Sequence, residues 1–228
     1  MGLAFAVGRL VSYGRAVLSR KAIAAMLLIL PLQAMAEEVR ILALGDSLTA
    51  GYGLPEESGF VPQLQGWLND HGEDVVIVNA GVSGDTTAGG LSRVEWSLTP
   101  EIDAMIVALG GNDVLRGVDP ASTRKNLEGI LAVAEARDLP VLVIGLQASR
   151  NFGADFKAAF DRIHPEVAEA HGALYEPNFF AGLGGDGTDP AAYRAFMQAD
   201  GIHPNAEGVR RIVAQIGPRV QALVDRVE

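Results

Sequence analysis

The sequence predicts an α/β protein, a three-layer α/β/α sandwich around a parallel sheet, and three observations carry that prediction. Apolar runs of strand length are continuous rather than alternating, the pattern of strands buried on both faces. Helix-periodic segments separate them, as crossover connections between parallel strands require. Three of the runs stop on a polar, glycine-containing turn. If the strands are parallel these turns share one rim of the sheet, where open α/β sheets place their ligands.

Taken in order, the first run, Val39–Leu44, ends in GDSLTAGYG, where Gly45 permits a tight turn and the residues after it can open a helix. The second, Val75–Val78, runs into the turn VNAGVSGDTT. The third, Ala104–Leu109, ends in GGND. Leu127, Ile130, Leu131 and Ala134 then repeat at i, i+3, i+4, i+7, one apolar stripe of a helix. A fourth strand is expected at Val141–Leu146 and a shorter fifth at Ala173–Tyr175. The last helix is expected to start at Pro204 and carries Val209, Ile212, Val213 and Ile216, then Val220, Leu223, Val224 and Val227, with a kink expected at Pro218.

The 228 residues suffice for one well-buried domain. Residues 1–36 read as an export signal: Arg9, Arg15, Arg20 and Lys21 precede the apolar run Ala22–Leu30, and Ala34-Met35-Ala36 offers small residues for cleavage after Ala36. Nine apolar residues fall far short of the ~20 that a spanning helix needs. Residues 37–228 then form a single domain. Losing the leader leaves 14 basic against 28 acidic residues, a net charge of −14, which repels phosphate backbones and anionic lipid. No nucleic-acid partner and no stable membrane insertion is expected, and an exported chain without cysteine fits a bacterial periplasm. The absence of cysteine also excludes disulfides, thiolate nucleophiles and cysteine-held metals. The four histidines are all single, with no metal-ligand spacing, so no cofactor or metal is expected.

Ser47 stands at a helix N-terminus, where backbone N–H groups and the positive end of the dipole favour a developing oxyanion. An isolated G-D-S reads first as a helix cap. His203, with Asp200 three residues before it, supplies what a serine nucleophile lacks: an imidazole to take the proton and a carboxylate to fix its tautomer. Gly201 permits the turn that returns Asp200 to His203. His164 and His171, without such partners, read as surface or cap residues. Gly84, through its backbone N–H, and Asn112, through its amide, are candidate oxyanion donors, with the N–H of Ser47 as a third. Each alone is an ordinary turn residue. Convergence on one rim raises them. The G-x-S-x-G elbow of α/β-hydrolases is absent, since Thr49 occupies the last position around Ser47.

At these residues the sequence resembles the SGNH (GDSL) hydrolase family, whose four blocks supply serine, glycine, asparagine and histidine. GDSLTAGYG with Ser47, SGDTT with Gly84, GGND with Asn112 and DGIHPN with Asp200 and His203 match in order and spacing. GGNDVLRG and the N-F-G at Asn151–Gly153 look most like the bacterial periplasmic arylesterase, acyl-thioesterase and lysophospholipase group. LQASR at Leu146–Arg150 departs from that group, which often has a proline there. The resemblance implies a flavodoxin-like sheet of about five parallel strands, no cofactor, and a mobile segment at about Asp113–Val118 closing over the acyl chain.

The expected function is hydrolysis of carboxylic esters and thioesters, namely aryl esters, acyl thioesters or lysophospholipids, through an acyl-enzyme on Ser47. Two rivals stand beside it: a carbohydrate or peptidoglycan O-acetylesterase of the same fold, and a catalytically inactive lipid-binding protein.

Overall fold

The computed structural model describes residues 38–184 and 193–227. The export signal read at residues 1–36 lies outside them. Strand β1 (Val39–Gly45) lies inside the sheet, with β2 (Val75–Gly81) on one side and β3 (Ala104–Ala108), β4 (Val141–Ile144) and β5 (Leu174–Glu176) on the other. The order is β2-β1-β3-β4-β5 and every pairing is parallel. Register runs Ile41 to Ile77 on one side of β1 and Ile41 to Ala104 on the other. The three central strands β1, β3 and β4 are almost wholly buried, which is why, apart from the half-buried Arg40 near the start of β1 and Gly45 at its end, they consist of Val, Ile, Leu, Met and Ala.

Helices α1 (Ser47–Ala50), α2 (Phe60–Asp70) and α3 (Thr87–Ser97) lie along the first half of the chain. They are followed by α4 (Gly111–Leu115), α5 (Pro120–Glu135), α6 (Ala154–Asp161), α7 (Ile163–Ala170) and α8 (Ala206–Val224). Helices α2 and α8 pack together on one face of the sheet, while α3, α5, α6 and α7 form the other layer. The predicted three-layer sandwich is what is found. The stripe read in α5 is buried at Leu127, Ile130, Leu131 and Ala134, and that of α8 at Val209, Ile212, Val213, Ile216, Val220, Leu223 and Val224.

Boundaries moved where turn chemistry overrode apolar content. The second strand continues through Asn79-Ala80-Gly81, pairing in register with Ala43-Leu44-Gly45. The last helix starts at Ala206, not at Pro204, because the Asn205 side chain accepts from Gly208 N–H and caps it. Pro204 instead pairs with Met197 in an isolated antiparallel bridge. Pro218 lies inside α8, which continues through it as one helix.

The first connection carries the chain from β1 to β2, and the second carries it back across β1 to β3. The crevice between β1 and β3 is therefore the topological switch point, and Gly45 and Ala108 end side by side there. One buried side chain braces that rim. Arg93 of α3 donates to the Asp85 carboxylate (2.7 Å), the Ala80 carbonyl (2.8 Å) and the Gly45 carbonyl (2.9 Å). It therefore ties the ends of β1 and β2 to the turn after β2. Both partners of the ion pair are nearly buried, so removing one strands a charge. Arg93→Leu is expected to lower the unfolding free energy by about 3–5 kcal/mol. Urea denaturation checks it, and a loss under about 1 kcal/mol would show the brace dispensable.

Candidate active site

Ser47 is the first residue of α1, and Asp46 before it caps that helix by accepting from Leu48 N–H at 3.0 Å. The cap holds the serine at the helix mouth. The Ser47 hydroxyl lies 2.9 Å from His203 Nε2, and His203 Nδ1 lies 2.7 Å from Asp200 Oδ2. The other Asp200 oxygen accepts the backbone N–H groups of His203 (3.0 Å) and Ile202 (2.9 Å), which fixes the carboxylate against the turn. The Tyr52 ring leans on the imidazole, centroids 4.7 Å apart.

These contacts assign the protons. The hydrogen bond from the His203 side chain, then those from the His203 and Ile202 N–H groups, hold Asp200 down at about 2. An ionised carboxylate can only accept, so Nδ1 carries the hydrogen and Nε2 is left to accept from the serine hydroxyl. That is the tautomer a general base needs.

Gly84 sits on the turn after β2 with φ +82, a conformation suited to glycine. Asn112 sits in the first turn of α4, after β3. Its amide nitrogen donates to the Asp85 carbonyl at 2.9 Å and to the Asp46 carboxylate at 3.2 Å. Among the described residues, the N–H groups of Ser47 and Gly84 donate to no protein acceptor. Ser47, Gly84, Asn112 and His203 all line one cavity of about 550 Å³. Val114, Leu146, Phe180 and Met197 supply its apolar wall, and exposed Tyr52, Leu115 and Ile202 its rim. Asp200 stands behind the imidazole, outside the lining. All five residues singled out in the sequence thus belong to one place. No group of three or more His, Cys, Asp or Glu side chains among the described residues could hold a metal ion.

Other residues of the site were not picked out by the sequence. Asp46 shares the serine's motif, but its neighbour's chemistry obscured it. Arg93 looks like any charged helix residue, because its three acceptors come from two strands and a turn. Asp113 is buried, accepting from Thr87 N–H (2.9 Å) and from the hydroxyls of Thr87 (2.5 Å) and Thr123 (3.1 Å). The surface or cap reading of His164 is corrected: it is buried and its Nε2 donates to the Leu109 carbonyl at 2.9 Å, beneath the GGND turn. Phe160, His164 and Val167 fall on one face across α6 and α7, and that spacing was the missed signal. His171 caps the end of α7 as expected.

A family model described as the GDSL-like lipase/acylhydrolase family matches residues 43–211. Esterase TesA of Pseudomonas aeruginosa is 39% identical over 199 residues, covering 87% of this chain and 94% of that protein. The thioesterase 1/protease 1/lysophospholipase L1 of Escherichia coli is 33% identical over 187 residues, covering 81% and 85%. The chain belongs to the GDSL-like lipase/acylhydrolase family. Among solved structures, AlinE4, an SGNH-hydrolase family esterase, superposes with a TM-score of 0.67 at 40% identity, covering 83% of this chain and 98% of that one.

Within this GDSL-type site the two aspartates beside the reacting pair are driven in opposite directions. Burial pushes Asp46 up from 3.8 to about 6, against the Leu48 N–H, the His203 charge and the Asn112 amide, while Asp85 adds to the rise. A folded-state value above the unfolded one means that the folded protein holds this proton more tightly. Asp46 therefore costs stability as pH rises from about 4 through 6. Between pH 5 and 7.5 the cost should grow by roughly 1–1.5 kcal/mol. Denaturation of wild type and Asp46→Asn at both pH values checks it: the gap should move in the mutant's favour at pH 7.5. A gap independent of pH would refute the assignment.

Proposed function

We propose that the chain hydrolyses carboxylic esters and thioesters by forming an acyl-enzyme on Ser47. The observation that carries this reading is the unbroken line from Asp200 through His203 to the Ser47 hydroxyl, with bonds of 2.7 and 2.9 Å. His203 Nε2 takes the hydroxyl proton as Ser47 Oγ attacks the carbonyl carbon, and Asp200 stabilises the resulting imidazolium. The tetrahedral oxyanion is received by the N–H groups of Ser47 and Gly84 and by the Asn112 amide, whose longer bond to Asp46 is the one to give way. Collapse expels the alcohol or thiol, which leaves with the proton from His203. Water activated by the same imidazole then releases the acid.

The cavity supports an acyl chain or aryl ring as the recognised group. At about 550 Å³, with an apolar wall, it has far more room than an acetyl group fills, which argues against the O-acetylesterase reading. Aryl esters, acyl thioesters and lysophospholipids all present such a group beside a scissile carbonyl. An inactive lipid-binding protein would have no use for a proton relay this well aligned. The leader and the absence of cysteine support export to the periplasm, with cleavage after Ala36 and a single mature domain of residues 37–228. No helix among the described residues is long and apolar enough to cross a membrane.

Ser47→Ala is expected to abolish turnover of p-nitrophenyl esters with the fold intact, and Asn112→Ala to cost about 10²–10³ in rate. Across a chain-length series, hexanoyl should outrun acetyl. Wild-type-like rates in either mutant would sink the mechanism, and acetyl alone accepted would revive the O-acetylesterase. For export, the osmotic-shock fraction should yield a chain beginning Glu37-Glu38. A mature protein that keeps residues 1–36 would overturn the leader.

A further inference from the structure

The contact between Ser47 and His203 joins residues 156 positions apart, and neither sits on a long element. Ser47 opens a four-residue helix, and His203 sits on a half-exposed turn. That turn is tied mainly to itself: Met197 bridges Pro204, Asn205 N–H reaches the Phe196 carbonyl at 2.8 Å, and Asp200 bonds within three residues. Gln63 of α2 reaches the Ala206 carbonyl at 3.1 Å, which anchors the start of α8 but not the histidine. Among the described residues, a single hydrogen bond joins the two turns apart from the reacting pair itself, and it belongs to Gln198.

We propose that Gln198 is a positioning residue: it fastens the turn carrying Ser47 to the turn carrying His203 and so sets their contact distance. Its backbone N–H donates to the His203 carbonyl at 2.8 Å. Its side-chain nitrogen donates to the Pro204 carbonyl at 3.0 Å and to the Tyr52 carbonyl at 2.8 Å. The Tyr52 N–H in turn donates to the Ser47 carbonyl at 3.1 Å, so that the hydrogen bonds run Ser47, Tyr52, Gln198, His203 and back to Ser47. A closed ring of this kind fixes each distance by the others. Position 53 shows how tightly the amide is seated: a Cβ there would stand 2.3 Å from Gln198 Oε1, and Gly53 has φ +75. The same bond holds Tyr52, whose ring leans on the imidazole. An amide satisfies all this because it gives two N–H groups from one planar nitrogen to two carbonyls.

The inference rests on the serine-hydrolase reading, and the test separates the two. Gln198→Glu keeps the length but removes both donors, and Gln198→Met removes them without adding charge. A misplacement of about 1 Å between nucleophile and base costs on the order of 10²-fold. Either variant is expected to lower kcat on a p-nitrophenyl ester by about 10–100-fold, with KM changed less than about threefold and Tm within a few degrees. Because Gln198 acts through His203, Gln198→Met should cost less than about twofold when added to His203→Ala. A kcat within about twofold of wild type in both variants, beside an inactive Ser47→Ala, overturns the proposal alone. An equal loss in the His203→Ala background, or failure of both variants to fold, also overturns it, in favour of a purely structural role. An active Ser47→Ala would instead overturn the hydrolase reading itself.

Discussion

Ser47 and His203 must be held 2.9 Å apart from opposite ends of the chain, and the rest of the structure serves that constraint. A parallel sheet meets it because all its strands end on one rim, so residues far apart in sequence are delivered to the same edge. The strand order adds the crevice. Where β1 feeds one layer and β3 the other, the two chains part above Gly45 and Ala108, leaving space bounded by three turns. Rigidity at that edge comes from burial beneath it. β1, β3 and β4 are packed on both faces, and Arg93 closes the carbonyls of Gly45 and Ala80 from below.

The two aspartates show how one small site supports opposite electrostatic tasks. Asp200 lies at the surface, bonded to an imidazole and two N–H groups, and is held ionised down to about 2. It can therefore balance positive charge on the imidazole in the proposed mechanism. Asp46, one residue before the nucleophile, is buried, and its carboxyl is pushed up to about 6. A carboxylate placed so close to a forming oxyanion would repel it if left unbonded. Its charge is spread instead into the α1 cap and the Asn112 amide. The same carboxylate that caps the serine's helix orients the amide opposite, so two of the donors are referenced to one group.

Much of this was legible in the sequence. Apolar runs located all five strands to within a few residues, most clearly for β3 and β4, whose burial on both faces leaves no room for polar alternation. The four motif turns pointed to five candidate residues that the fold places together, three of the turns following strand ends and the fourth preceding α8. What was illegible depended on partners brought together only by the fold. Arg93 finds acceptors 48, 13 and 8 positions away. His164 was judged by the absence of a sequence neighbour, while its partner, the Leu109 carbonyl, is 55 positions distant. Pro204 shows the opposite error: a residue suited to starting a helix was outcompeted by the better cap that follows it, Asn205. The Asp113–Val118 segment divides on the same ground. Asp113 is locked by two threonines, whereas Leu115 is exposed at the cavity rim, so any closing motion must begin beyond the aspartate.

The N–H groups of Ser47 and Gly84 illustrate how such a site is arranged energetically. Backbone donors that line a cavity without a protein acceptor stand out in a fold, where almost all buried donors are paired. Helix α1 could have been capped so as to use the first of them, and the turn at Gly84 could have closed on the second. Neither happens, although the neighbouring donors of Leu48, Asp85 and Thr87 are all satisfied. Both donors belong to residues that line the cavity beside the Ser47 hydroxyl. In the proposed mechanism, an oxygen acquiring negative charge there would gain bonds from donors that the fold already holds in place, with little reorganisation at the moment of attack. On that proposal the donors bind most strongly when the carbonyl turns tetrahedral, and interactions of that kind are the ones that accelerate a reaction rather than merely retain its substrate.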